Sequence, residues 1–496
     1  MKFWLGVCLV MSVAVLGRSA PRFAEVFSDG VVLQQEKPIT VWGYGGEPKG
    51  VVGVQLGDER VSALANESGY WQVRFEPRKA SSRPAELRLI DGGKVIDTVS
   101  DVLIGEVWLA AGQSNMQWTM AQVLKKLPDA WSWDEHQGMV RFRRVNDPVQ
   151  KEKGFEDRWL GGEWKEPHDD FSAVASVFAA ELAKELEVPV GVIDVSWGGK
   201  PIEPFIPRFQ FERDALLKEI QTLSKSEELD TLAKLKGGVI IRNPEGRPAA
   251  IYKARMKPIE NFALRGFLWY QGESNAGRGE DPREYRQKLV ALADGGREAG
   301  GDAALPLQFV QLPSYQPATG WIRLREEQRL AREMIPYSGM TTIVDLPGDD
   351  IHPAYKVPVG QRLAQRTLAD VYGKDFPAEP RLEGVKIANS KVTVTWQVDQ
   401  LMVGDWQERK LVNGSNVAQV GYFEIAGEDG VWHKAGVAIG SESCQLVISH
   451  SEVLDPWMVR YGCVTEMEQG LLFDSVGQPL SPFCSKLEGL PWEDQK

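Results

Sequence analysis

The sequence predicts an α/β protein with a parallel central sheet, flanked on both sides by β-rich segments. Three observations predict it. From about residue 105 to 375, short apolar runs alternate with helical stretches, the pattern of a parallel α/β sheet. Before and after this stretch, apolar and polar residues alternate with the period of half-buried strands. Four apolar runs in the middle end in polar, glycine-containing clusters. The 496 residues also exceed one ordinary domain.

Taken in order, residues 1–20, MKFWLGVCLVMSVAVLGRSA, have the layout of a signal peptide: Lys2, an apolar run from Phe3 to Leu16, and the small-residue exit Ser19-Ala20. That run is short for a membrane span, and no later segment is long and apolar enough for one, so a secreted or periplasmic chain is expected. Residues 21–104 read as an N-terminal β domain, with Trp71-Gln72-Val73-Arg74-Phe75 alternating cleanly. Residues 105–375 read as the central domain. There Asp281-Pro282 marks a helix start, followed by Tyr285, Leu289 and Leu292 at helical spacing. A Leu-, Lys- and Glu-rich stretch at about 209–236 reads as a helical insertion. Residues 376–496 return to β patterning, with Val392, Val394 and Trp396 alternating with threonines.

Composition excludes several function classes. Fifty-seven Lys and Arg against 69 Asp and Glu leave a net charge of −12, so clustered cations for nucleic-acid phosphates are not expected. Beyond the leader the cysteines are Cys444, Cys463 and Cys484, which allow at most one intrachain bridge. No CxxC or Cys/His cluster exists, so neither a metal nor a cofactor is expected.

The chemistry collects where the four apolar runs end: VWLAAG-QSN (to Asn115), GVIDV-SWGGK (to Lys200), FLWY-QGESN (to Asn275) and TTIVD-LPGDDIH (to His352). Ligands of open parallel sheets bind beyond the carboxyl ends of the strands, so these clusters can converge. Ser114 offers a hydroxyl, which is a weak nucleophile without a base. His136, His168, His433 and His450 lie in polar or β contexts and read as surface or satisfied histidines. His352 follows a strand, with Asp349 and Asp350 three and two residues before it, and an acid so placed can orient an imidazole. Its plainer reading is a capping histidine before a helix at Pro358 to Tyr372.

Asp349 is favoured as the orienting acid, because the longer span lets the loop curl back. Asp350 then ties down the loop or faces solvent, and a Ser–His dyad is the third arrangement. Acyl transfer also needs donors for an oxyanion. Gly198-Gly199 lets backbone approach a ligand, Gln271 or Asn275 can add a side-chain amide, and Ser114 can add its own N–H. Tight turns are the plainer reading of each cluster taken singly.

Together, GQSNM (112–116), SWGG (196–199), WYQGESN (269–275) and DIHP (350–353) resemble the sialate O-acetylesterase family of SGNH-type, GDSL-like hydrolases. FSDGVVLQQEKPITVWGYG (27–45) is similar to the family's N-terminal β region. YFEIAGEDGVW (422–432), VRYG (459–462) and PLSPF (479–483) are similar to its C-terminal end. The resemblance implies a three-layer α/β/α flavodoxin-like SGNH hydrolase core with flanking β domains. It implies a serine esterase that removes acetyl groups from sugar hydroxyls, of the sialate (9-)O-acetylesterase type, without metal. Ser114 is then the nucleophile, His352 the base, and Gly199 with the amides of 271–275 the oxyanion region. The chain departs from the family in having Lys200 after SWGG, then Glu203-Pro204-Phe205, and in the stretch Ile251 to Pro258. These departures bear on substrate preference. An acetylxylan or other plant-glycan acetylesterase is therefore the alternative. A non-catalytic carbohydrate-binding protein is a third reading, against which Ser114 and His352 speak.

Overall fold

The computed structural model describes residues 20–490, apart from 134–137, 146–162, 224–245, 277–280, 316–319, 349 and 406. The expected signal peptide, except Ala20, lies outside the described residues, as do His136, Asp349 and the second half of the expected insertion.

Six parallel strands form the centre: β1 (Lys94–Gly112), β2 (Val140–Arg144), β3 (Val190–Asp194), β4 (Gly266–Tyr270), β5 (Leu307–Val310) and β6 (Ser338–Thr341). Their order is β2-β3-β1-β4-β5-β6. The short strand Trp164–Lys165 adds antiparallel to β2. The continuous apolar runs of β1, β3 and β4 are buried, as expected of strands covered on both faces.

The described α-helices are α1 (Ser114–Gln117), α2 (Met120–Lys126), α3 (Ala173–Leu186), α4 (Gln210–Arg213), α5 (Ala215–Leu223), α6 (Tyr285–Gly300), α7 (Trp321–Met334) and α8 (Lys356–Asp370). Helix α3 packs on α8, and α6 on α7. Helix α6 starts after a 3-10 turn at Pro282–Glu284, where Asp281 accepts the Arg283 N–H, and it buries Tyr285, Leu289 and Leu292.

Two sequence expectations shift. The insertion begins as two short helices, because Asp214 breaks the run and its carboxylate accepts the Leu217 N–H at 3.0 Å. The run Thr341 to Asp345 is not one strand. Strand β6 ends at Thr341, and the following turn buries Asp345 against both Arg362 nitrogens at 2.7 Å.

Strand β1 runs through the border expected at 104/105. Its first half pairs antiparallel with Ser81–Asp91, Leu103 to Gly105 pair parallel with Val32–Gln34, and its second half is the sheet centre. One apolar cluster accordingly runs from Phe23 to Leu368. Within it the Glu106 carboxylate is wholly buried and accepts from Gln34, Gln35, Tyr372 and, at 2.6 and 2.9 Å, Arg265. Losing one partner of a buried pair typically costs about 3–5 kcal/mol, so this carboxylate ties the N-terminal β segment to the sheet.

Residues 381–484 form three small antiparallel sheets around a second cluster that includes Val392, Val394 and Trp396. Arg325 on α7 reaches this region, donating to the carbonyls of Gly462 at 3.2 Å and Val464 at 2.6 Å. Among the described residues no helix is long and apolar enough to cross a membrane.

Gly112 ends β1 with φ +135°, and a Cβ there would stand 2.2 Å from the Tyr270 carbonyl oxygen. Gly112→Ala is therefore expected to lower unfolding stability by at least about 2 kcal/mol. Urea denaturation checks this, and a midpoint equal to that of the unsubstituted chain contradicts it.

Candidate active site

Ser114 is the first residue of α1, directly beyond the end of β1. The close approach at Gly112 makes this turn sharp: the Gln113 N–H donates to the Tyr270 carbonyl at 3.1 Å, and α1 begins at once. As a first-turn group, the Ser114 N–H has no acceptor inside its own helix. Among the described residues it has no hydrogen-bond partner at all. Ser114 is partly accessible.

The SWGGK cluster after β3 lies against this turn. The Trp197 N–H donates to the Gly112 carbonyl at 2.9 Å, and the Gly198 N–H to Gln117 Oε1 at 2.9 Å. A Cβ on Gly198 would stand 2.8 Å from that oxygen and 3.5 Å from Ser114 Cβ, so glycine is what permits the approach. Gly199 is exposed at φ +70° with open space around it, and its N–H has no partner among the described residues. Lys200 and Arg255, both in the unusual stretches, lie over the Trp197 ring at 5.6 and 4.0 Å.

The two amides expected near an oxyanion turn inward instead. Gln271 is fully buried, and its Nε2 donates to Asn275 Oδ1 (2.8 Å), Gln113 Oε1 (3.1 Å) and the Lys200 carbonyl (3.3 Å). Asn275 accepts the Ile202 N–H at 3.0 Å and donates to both oxygens of Glu203 at 3.3 Å. Their donors brace the three loops against one another, because buried amide hydrogens must find acceptors.

His352 completes the cluster. Its Nε2 lies 2.8 Å from Ser114 Oγ, and its ring stacks on Trp118 at 5.7 Å and 15°. Partial burial holds the imidazole below its ordinary range, helped by the Lys356 and Lys126 ammoniums and opposed by the Asp350 carboxylate. Asp350 does not face the ring nitrogen. Its Oδ1 accepts the His352 backbone N–H at 3.0 Å and its Oδ2 pairs with Lys126 at 2.9 Å. Those bonds hold its own acid group below the usual range. No hydrogen bond to His352 Nδ1 comes from the described residues.

Three nearby groups have no counterpart in the sequence reading. Gln113 Oε1 accepts from Gln271 and from the Ser274 N–H at 3.1 Å. Asn115 donates to Glu273 and to the Ile351 carbonyl, and accepts from Lys356. Lys356 is 1% exposed, and burial pulls its ammonium down to about 7. The structure starts α8 at Lys356 rather than at the expected Pro358, and only that start shows a cation placed where the dipole disfavours it.

Residues 104–369, more than half of the chain, match the family described as carbohydrate esterase, sialic acid-specific acetylesterase. The chain is 29% identical to the sialate O-acetylesterase of Mus musculus over 429 residues, covering 74% of this chain and 77% of that protein. It is 29% identical to that of Homo sapiens over 397 residues, 71% of each. A crystal structure of a carbohydrate acetylesterase from Xanthomonas citri superposes with a TM-score of 0.78 at 28% identity, covering 94% of this chain and all of that one.

Partial burial and the two lysines set the titration of His352. By proton NMR on the full chain, its imidazole is expected to titrate below the ordinary value of about 6.5. A midpoint above that value contradicts the electrostatic account.

Proposed function

Because the chain belongs to the sialic acid-specific acetylesterase family of carbohydrate esterases, and so is an esterase, we propose that it hydrolyses acetyl esters on sugar hydroxyls through an acyl-enzyme on Ser114. The observation that carries this reading is the 2.8 Å contact of Ser114 Oγ with His352 Nε2 at the carboxyl end of the sheet. Ser114 attacks the acetyl carbonyl while His352 accepts its proton. The developing oxyanion is held by the N–H groups of Ser114 and Gly199, both without partners among the described residues. The imidazolium then protonates the leaving sugar oxygen. Water, activated by the same imidazole, releases acetate.

In this reading residues 105–375 form a three-layer, flavodoxin-like SGNH core between β domains at 21–104 and 376–496, and the leader directs secretion. The strand order supports the core assignment, since Ser114 follows β1 where the connections diverge to either side. Asp349 is retained as the orienting acid, supported by the engagement of Asp350 with Lys126 and the His352 backbone.

The substrate is an O-acetylated sialic acid rather than a neutral glycan. The family match and the sialate O-acetylesterase relatives support this reading, whereas Lys200 and Arg255, which lie in the departing stretches, are buried beside Trp197, with Arg255 donating to the Val195 and Ser196 carbonyls. Acetylated xylan is the second reading, kept because those positions depart from the family pattern.

Ser114→Ala is expected to remove esterase activity by several powers of ten in kcat with the fold intact by circular dichroism. Turnover within roughly tenfold of the unsubstituted enzyme rejects the acyl-enzyme. Measured kcat/KM should favour O-acetylated sialic acid over acetylated xylan, and the reverse ranking moves the substrate to the neutral glycan. Asp349→Asn should lower kcat on the order of 100-fold and more than Asp350→Asn. The opposite order transfers the role to Asp350, and two mild effects leave a dyad.

A further inference from the structure

Ser114 and His352 are 238 residues apart, so no local chain geometry sets their contact. Tertiary hydrogen bonds must hold it, and one side chain makes several of them. Asn115 follows Ser114 and is 1% exposed. Its Nδ2 donates to the carbonyl of Ile351, the residue before His352, at 2.9 Å, and also to Glu273 Oε1. Its Oδ1 accepts from the Lys356 ammonium. One amide thereby joins the nucleophile turn, the loop after β4 and the segment that carries His352 into α8.

We propose that Lys356, acting through Asn115, is a positioning residue that holds the His352 loop in register with Ser114. This rests on the Ser–His reading above. Lys356 sits against two unfavourable effects: burial, and the positive end of the α8 dipole. A helix start needs no lysine, and a neutral side chain avoids both costs. The surroundings instead accommodate the ammonium, with the Asn115 oxygen, the Trp118 ring at 5.7 Å, the Tyr270 ring at 5.5 Å and the nearby Glu273 carboxyl.

The placement also has an electrostatic consequence. Among the described residues, the charged groups acting on His352 are Lys356, Lys126 and Asp350. On the acid side of neutrality Lys356 is protonated, and its field disfavours the imidazolium. His352 then stays a competent base at lower pH. Removing the charge raises the imidazole pKa and moves the acid limb of the rate profile to higher pH.

The test uses the full chain, p-nitrophenyl acetate, and profiles over roughly pH 5 to 8. Lys356→Met is expected to lower kcat about 100-fold, change KM less than about threefold, and move the acid limb to higher pH. Lys356→Gln keeps an N–H donor for Asn115 without the charge. It is expected to recover most of kcat while leaving the limb displaced. A purely structural lysine would lower the amount of folded enzyme without moving the limb. Unchanged kcat and an unmoved limb in Lys356→Met overturn the proposal, as does a rise in KM alone. If Lys356→Met fails to fold, the limb of Lys356→Gln decides, and an unmoved limb overturns the proposal. Ser114→Ala is run alongside. Inactive Ser114→Ala with unimpaired Lys356 variants removes only this inference, whereas active Ser114→Ala removes the Ser–His reading and this inference with it.

Discussion

Tyr270 lies opposite Gly112 in the parallel pair of β1 and β4, and its carbonyl occupies the space where a Cβ at 112 would stand. Parallel strands in this register end together, so the segments beyond them emerge side by side. Gln113 and Asn115, which flank Ser114, are thereby set against Gln271, Glu273 and Ser274. The SWGG loop joins the same point through the bond from Trp197 to the Gly112 carbonyl. Without that approach α1 could not begin immediately after β1, and Ser114 would not meet a loop from a distant part of the chain.

Buried charge is used twice, with different consequences. Glu106 sits wholly inside, with Arg265, Tyr372 and two glutamines around it, at the seam between the N-terminal strands and the sheet. Full pairing at that depth makes it a structural clamp. Lys356 is buried nearly as deeply, but it meets a neutral amide oxygen and two aromatic faces, with the Glu273 carboxyl nearby and hydrogen-bonded to Asn115. Incomplete compensation leaves its ammonium pulled down to about 7, and while protonated its charge disfavours the neighbouring imidazolium. The half-exposed Lys126–Asp350 pair is worth only about 0–1 kcal/mol. Its part is to restrain the loop, together with the Asp350 bond to the His352 N–H.

Much of the fold is legible in residue patterns. Val107 to Ala111, Val190 to Asp194 and Phe267 to Tyr270 are strands because uninterrupted apolar runs of this length suit a sheet covered on both faces. Tyr285, Leu289 and Leu292 share a buried helix face because their spacing follows the helical period. The run at 341–345 misleads, since its apolar residues belong to a turn stabilised by the distant Arg362, which no local pattern encodes.

For the site, the sequence by itself determined which residues can do chemistry: a serine at a strand end, a histidine preceded by acids, and glycines where backbone must come close. Orientation was left to the tertiary structure. Gln271 and Asn275 read equally well as donors to a ligand or to their neighbours, and only the packed loops supply the acceptors that turn them inward. Lys356 lies just before the helix expected from Pro358, and only the packed structure buries it and places it on Asn115. The physical reason is common to both: residue type and spacing fix what a side chain can donate or accept, whereas the partner that takes the bond arrives from elements far away in the chain.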